Sequence, residues 1–149
     1  MKKIHPTAIL EGDVEIGDFV GISAYAVLRG DEGKIKIGNR TNIQEHCTLH
    51  GRGVSVGNDV TIGHGATLHG CKIGNNVLVG MGSIIMDDVE IGDWCIIGAG
   101  AVVTPGMKIE SGSLVVGLPA RVVRKINDED KKLIVHSAEN YLNKIKKQK

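Results

Sequence analysis

The sequence predicts an all-β fold: a single-stranded parallel β-helix of hexapeptide repeats, about six coils tall, followed by one C-terminal α-helix. Three observations predict it. Every sixth residue is aliphatic over most of the 149-residue chain. A small or β-branched residue recurs four positions after that aliphatic. The last stretch abandons this period for a helical one.

The ladder starts at Ile4 and continues through Leu10, Ile16, Ile22 and Leu28. Three inserted residues move it to Ile37, Ile43 and Leu49, and one more to Val56, Ile62 and Leu68. After one deletion it runs unbroken from Ile73 through Val79, Ile85, Ile91, Ile97, Val103 and Ile109 to Val115. All nineteen positions are Ile, Leu or Val. A period of six fits a short strand plus a corner, three such units making one triangular coil. Coils then stack as parallel strands about 4.8 Å apart. The aliphatic fills the prism, and the small residue (Ala26, Cys47, Ala66, Cys95) turns the corner where bulk would clash. Glycine often follows the aliphatic, as at Gly17, Gly38, Gly57 and Gly74, and is expected to supply the corner backbone. Each buried aliphatic contributes about 1.5–3 kcal/mol before entropy is charged against it. The stack therefore supplies a core although aromatics are only 3% of the chain.

The period ends near Val115, so residues 1–120 form the β-helix domain and residues 121–149 a linker and a helix packed on it. Asn127, followed by Asp128, Glu129 and Asp130, is a helix start with acidic first-turn residues. Leu133, Ile134, Ala138, Tyr141, Leu142 and Ile145 recur at helical spacing, and "KIKKQK" ends the chain as a solvated tail.

The formal net charge of +1 excludes the basic signature of a nucleic-acid or membrane-surface binder. No 18-residue apolar run occurs. Cys47, Cys71 and Cys95 form an odd set without CxxC, which fits a reducing compartment, and a cytoplasmic location is expected.

The repeat also acts as a coordinate system. His50 follows Leu49 and His69 follows Leu68, one complete coil later, so both imidazoles point outward from the same place in adjacent coils. Arg29, after Leu28, sits one coil below them. His64 lies two after Ile62, on another side of the triangle, with Gln44 and Glu45 in the coil beneath. The chain thus carries two half-sites, Arg29, His50 and His69 on one side and Gln44, Glu45 and His64 on another. A threefold trimer would press one against the other. Three imidazoles with an open fourth position is the donor set of a catalytic zinc, and Fe2+ or Co2+ suits the same nitrogens.

The stretches "RGD" (29–31), "NIQEHCTLH" (42–50) and "GHGATLHGC" (63–71), set on this repeat, resemble the γ-class carbonic anhydrases and their bacterial homologues. The resemblance implies a left-handed winding and a homotrimer with His50, His64 and His69 as Zn2+ ligands shared between subunits. It implies reversible hydration of CO2 to bicarbonate by a metal-bound hydroxide. Gln44 matches the glutamine that orients that hydroxide, and Glu45 stands where many relatives have Asp. Arg29 and Asp31 match an ion pair that supports the trimer contact and the site. Tyr141 resembles a helix tyrosine that reaches over it. The acidic, proton-shuttling loop of active members is absent after His50, where "GRGVSVGND" follows directly, so low activity is expected.

Two other functions fit the same fold. A hexapeptide-repeat acyltransferase using acetyl-CoA would rely on one histidine base and a long acceptor loop, whereas the one sizeable insertion here lies around residues 31–34. A metal-binding trimer without activity would keep the histidines and lack turnover. His5, His46 and His136 are expected to be ordinary surface or capping residues.

Overall fold

A computed structural model describes residues 1–147 as a parallel β-solenoid of about six turns with a C-terminal helix along one side. The first coil comprises β1 (Lys2–Ile4) and β2 (Ile9–Ile16), the second β3 (Val20–Ile22) and β4 (Val27–Ile37). The third holds β5 (Asn42–Ile43), β6 (Thr48–His50) and β7 (Val54–Val56), and the fourth β8 (Thr61–Ile62), β9 (Thr67–His69) and β10 (Lys72–Ile73). The fifth holds β11 (Leu78–Val79), β12 (Ile84–Ile85) and β13 (Glu90–Ile91), and the sixth β14 (Ile96–Ile97), β15 (Val102–Val103) and β16 (Lys108–Ile109). Then come β17 (Ser113–Gly117), β18 (Ala120–Lys125) and α1 (Asp128–Lys147).

Side A of the prism is the ladder β1-β3-β5-β8-β11-β14-β17, with β18 added antiparallel to β17. The other two sides are joined because β2 and β4 run through a corner. Val27 and Leu28 pair with β6 on side B, and Ile35–Ile37 pair with β7 on side C. The insertion of residues 31–34 lies at that crossing.

Sixteen of the nineteen ladder aliphatics are at most 4% exposed. Ile4 is 41% exposed, and Leu10 and Ile16 are partly buried, because no coil lies beneath the first. The small residues at the fourth position line the same core.

The recurring glycines do a different job from the one expected of them. The left-handed corner residue sits three positions after the aliphatic and is often not glycine: Phe19, Tyr25, Arg40, His46, Asp59 and Trp94 all have positive φ. The glycine beside the aliphatic is required by close stacking. A Cβ on Gly57 would collide with the Asn75 side chain and the Gly74 backbone, and one on Gly38 with Asn58 and Gly57. Those asparagines form a ladder up one edge. Asn39 Oδ1 accepts the Asp18 N–H at 2.8 Å, Asn58 Oδ1 that of Asn39 at 2.8 Å, Asn75 Oδ1 that of Asn58 at 2.8 Å, and Asp93 Oδ1 that of Asn75 at 2.7 Å.

The stretch expected to be a linker is in part strand β18, whose pairing covers the open edge of β17. α1 starts with a reciprocal cap: Asn127 Oδ1 accepts the Asp130 N–H at 3.0 Å and Asp130 Oδ2 accepts the Asn127 N–H at 2.8 Å. Ile134, Ala138 and Ile145 form its buried stripe against side A. The helix runs antiparallel to the stacking direction, from Lys131 over the Trp94 ring to Lys146 over the Phe19 ring. Lys144–Lys147, expected in the tail, are helical, and the end of that tail, 148–149, lies outside the described residues.

Candidate metal centre

His50 and His69 are cross-strand partners in the parallel pairing of β6 with β9, one register step beyond Leu49↔Leu68. With those leucines buried, alternation turns both imidazoles outward. Their ring centroids are 5.2 Å apart at an interplanar angle of 69°.

The His50 ring is the better buried, with its side chain 16% exposed. Its Nε2 is buried and has no hydrogen-bond partner among the described residues. Asp31 Oδ1 lies 3.5 Å from it and Glu32 Oε2 3.8 Å, near enough for charge but not aligned for a hydrogen bond. Arg29 donates to Asp31 Oδ2 at 2.9 Å, and that bond holds the Asp31 carboxyl below its ordinary range. Asp31 and Glu32 come from the insertion in β4. Acidic groups therefore do stand beside His50, supplied from the coil below rather than from the stretch after it. Glu32 was not among the residues singled out from the sequence; its signal was the position of the insertion, one coil under His50.

His69 Nδ1 and Asp87 Oδ1 are 2.6 Å apart. Asp87 was also missed. The register that aligns Ile85 with Leu68 puts Asp87 directly above Gly70, so stepping the repeat one coil past His69 would have found it.

His64 follows β8 on side A, apart from the side-B pair. Its Nδ1 lies 3.3 Å from Glu45 Oε1, the matching residue of the coil below. Gln44 is buried, and its Nε2 donates to Asn42 Oδ1 at 3.2 Å; Asn42 in turn donates to Thr61 Oγ1 at 3.0 Å. This pinned side chain lines a cavity of about 340 Å³ between side A and α1, together with His64, Met81, His136, Asn140 and Tyr141. Burial pushes the Tyr141 hydroxyl above its ordinary pKa, and the Glu45 charge adds to that.

Within one chain, then, Arg29, Asp31, His50 and His69 lie together, and Gln44, Glu45, His64 and Tyr141 lie together. The two groups are on different sides. Of the other histidines, His46 is a corner residue stacked on Tyr25 at 5.3 Å, and His5 Nδ1 is 2.8 Å from Thr7 Oγ1. The donor chemistry fits a borderline-soft divalent ion. Two imidazoles share an edge, one carries an orphaned buried nitrogen, and a third projects half-exposed on a neighbouring side.

Comparison with known proteins adds the following. Residues 70–105 match the family model "Bacterial transferase hexapeptide (six repeats)". Protein YrdA of Escherichia coli is 43% identical over 149 residues, covering 93% of this chain and 81% of that protein. The carnitine operon protein CaiE of E. coli is 45% identical over 130 residues, covering 85% of this chain but only 66% of CaiE. The crystal structure of a hexapeptide transferase family protein from Anaplasma phagocytophilum superposes with a TM-score of 0.90 at 38% identity, over 99% of this chain and 93% of that one. The solenoid is consistent with the left-handed winding of such repeats. Among the described residues no helix is long and apolar enough to cross a membrane.

Proposed function

The chain belongs to the hexapeptide-repeat transferase family, and from that premise we propose that it works as a homotrimer whose interfaces each assemble a three-histidine metal site for a γ-carbonic-anhydrase-like hydration of CO2. One observation carries this reading. His50 and His69 are cross-strand partners on adjacent coils of side B, their rings edge to face, while His64 projects from side A and can join them only from a second copy.

His50, His64 and His69 would hold the ion, and a divalent ion bound by three neutral imidazoles supplies Lewis-acid chemistry at neutral pH. The chain's own groups then divide the remaining tasks. Gln44, pinned through Asn42, lines the cavity and can orient a small polar reactant. Leu78, Met81 and Ile96 give that cavity an apolar wall suited to an uncharged substrate. Asp31, held ionised by Arg29, and Glu32 offer proton acceptors beside His50. Tyr141, kept protonated by its surroundings, offers a hydrogen-bond donor among the residues lining the cavity.

Acyl transfer is the second reading. The transferase names carried by the family model and by the Anaplasma protein favour it over CO2 hydration. The 2.6 Å contact of His69 with Asp87 is also one that a histidine base would use.

One set of measurements separates the two. The purified protein is expected to sediment as a trimer with about one Zn2+ or Fe2+ per chain and to accelerate CO2 hydration in stopped flow. His64→Ala is expected to retain the fold, because that side chain is 52% exposed, and to lose the metal. A background hydration rate in both the zinc and ferrous forms, with turnover of acetyl-CoA on any amine or hydroxyl acceptor, would overturn the first reading in favour of the second.

A further inference from the structure

We propose that Asp87 is the positioning residue of His69. It holds the imidazole in the Nδ1–H form and turns the bare Nε2 away from the prism as the donor atom. The contact is 2.6 Å between His69 Nδ1 and Asp87 Oδ1. An ionised carboxylate only accepts, so Nδ1 carries the proton and Nε2 keeps its lone pair. A free imidazole favours neither nitrogen strongly; a carboxylate on one of them decides the matter.

The surroundings are built for this contact. Asp87 follows β12, whose Ile84 and Ile85 are in register with Thr67 and Leu68 of β9, so Asp87 falls one step past the residue above His69. Its backbone is fixed on both sides: Gly106 N–H donates to the Asp87 carbonyl at 2.9 Å, and Asp88 N–H donates to the Gly70 carbonyl at 2.8 Å. The carboxylate needs the space over residue 70. That residue is glycine with φ 57°, and a Cβ there would run into Asp87 Oδ1. Gly70 N–H in turn donates to the His50 carbonyl at 2.9 Å, tying the pocket to the other histidine of the pair. On side A a carboxylate also stands near a histidine, Glu45 Oε1 at 3.3 Å from His64 Nδ1, but without the hydrogen bond that His69 and Asp87 make.

The role in metal affinity rests on the metal reading above; the role in setting the proton position does not. The test therefore has two arms. Long-range 1H–15N correlation spectra of the metal-free wild-type protein are expected to show His69 protonated at Nδ1. Asp87→Ala is expected to shift it towards the Nε2–H form, and Asp87→Asn, which keeps an acceptor oxygen, to restore part of the signal. In the second arm, Zn2+ affinity measured by chelator competition is expected to fall by about 10–100-fold in Asp87→Ala, with the trimer and the melting temperature preserved. A wild-type His69 protonated at Nε2, or a ring unaffected by Asp87→Ala, would overturn the proposal. So would equal Zn2+ affinity in wild type and Asp87→Ala. Should the wild type bind no Zn2+, the metal reading fails and the spectra alone decide the role of Asp87.

Discussion

At the scale of single residues, Cys47 shows how a corner position shapes chemistry. Its side chain is fully buried, and the thiol donates to the Gly63 carbonyl at 3.1 Å. Burial pushes its pKa up from 9.0 to about 11, against the opposing pull of nearby backbone N–H groups. The raised folded value means that the native state keeps its proton where the unfolded chain has lost it. This contribution is complete below pH 9 and disappears as pH rises to about 11. Urea titrations are expected to show stability falling over that window by up to about 1.4 kcal/mol per pH unit, with a flatter profile in Cys47→Ala. The placement of the candidate-site histidines was legible because the six-residue count fixes which coil and side each occupies. Asp87 escaped because "MDDVEIG" looks locally like any acidic corner; only its height above Gly70 gives it a partner.

At the scale of elements, the solenoid edge joins a side-chain ladder to a glycine ladder, each dependent on the other. Asn58 Oδ1 satisfies the Asn39 N–H, and the absence of a side chain at Gly57 admits Asn75 to the coil. Asn58→Ala removes one hydrogen bond at an exposed edge, at a cost of about 1 kcal/mol. Gly57→Ala forces two backbones apart, and its cost should reach the roughly 1–3 kcal/mol of overpacking. Urea melts of the two variants should therefore rank Gly57→Ala as the more destabilised. The strands, the core and the start of α1 were readable from period and capping chemistry. The glycine role was misassigned because spacing alone does not distinguish a residue that needs positive φ from one that must merely be thin. β18 was missed because its Arg121–Lys125 face is exposed and carries no buried alternation.

At the scale of the whole molecule, each coil touches only its neighbours, so stability is local along the axis. The two ends differ. The base exposes Ile4 and Ile9, whereas the top ladder is capped by the β17–β18 pair. Native-state hydrogen exchange should accordingly show β1 and β2 amides exchanging fastest among the strands, with β6, β8 and β9 close to the global limit. Comparable protection in β1 and β9 would contradict this picture.

The course of α1 qualifies that gradient. Lys131 lies over Trp94 near the top, while Ile145 rests against Gly21 and Lys146 lies over Phe19 near the base. The helix is therefore a strut bolted across the storeys of the tower. A load pulling the coils apart along the axis would be shared between the strand bonds and this brace. The weak lower storeys are clamped to the strong upper ones by this one helix.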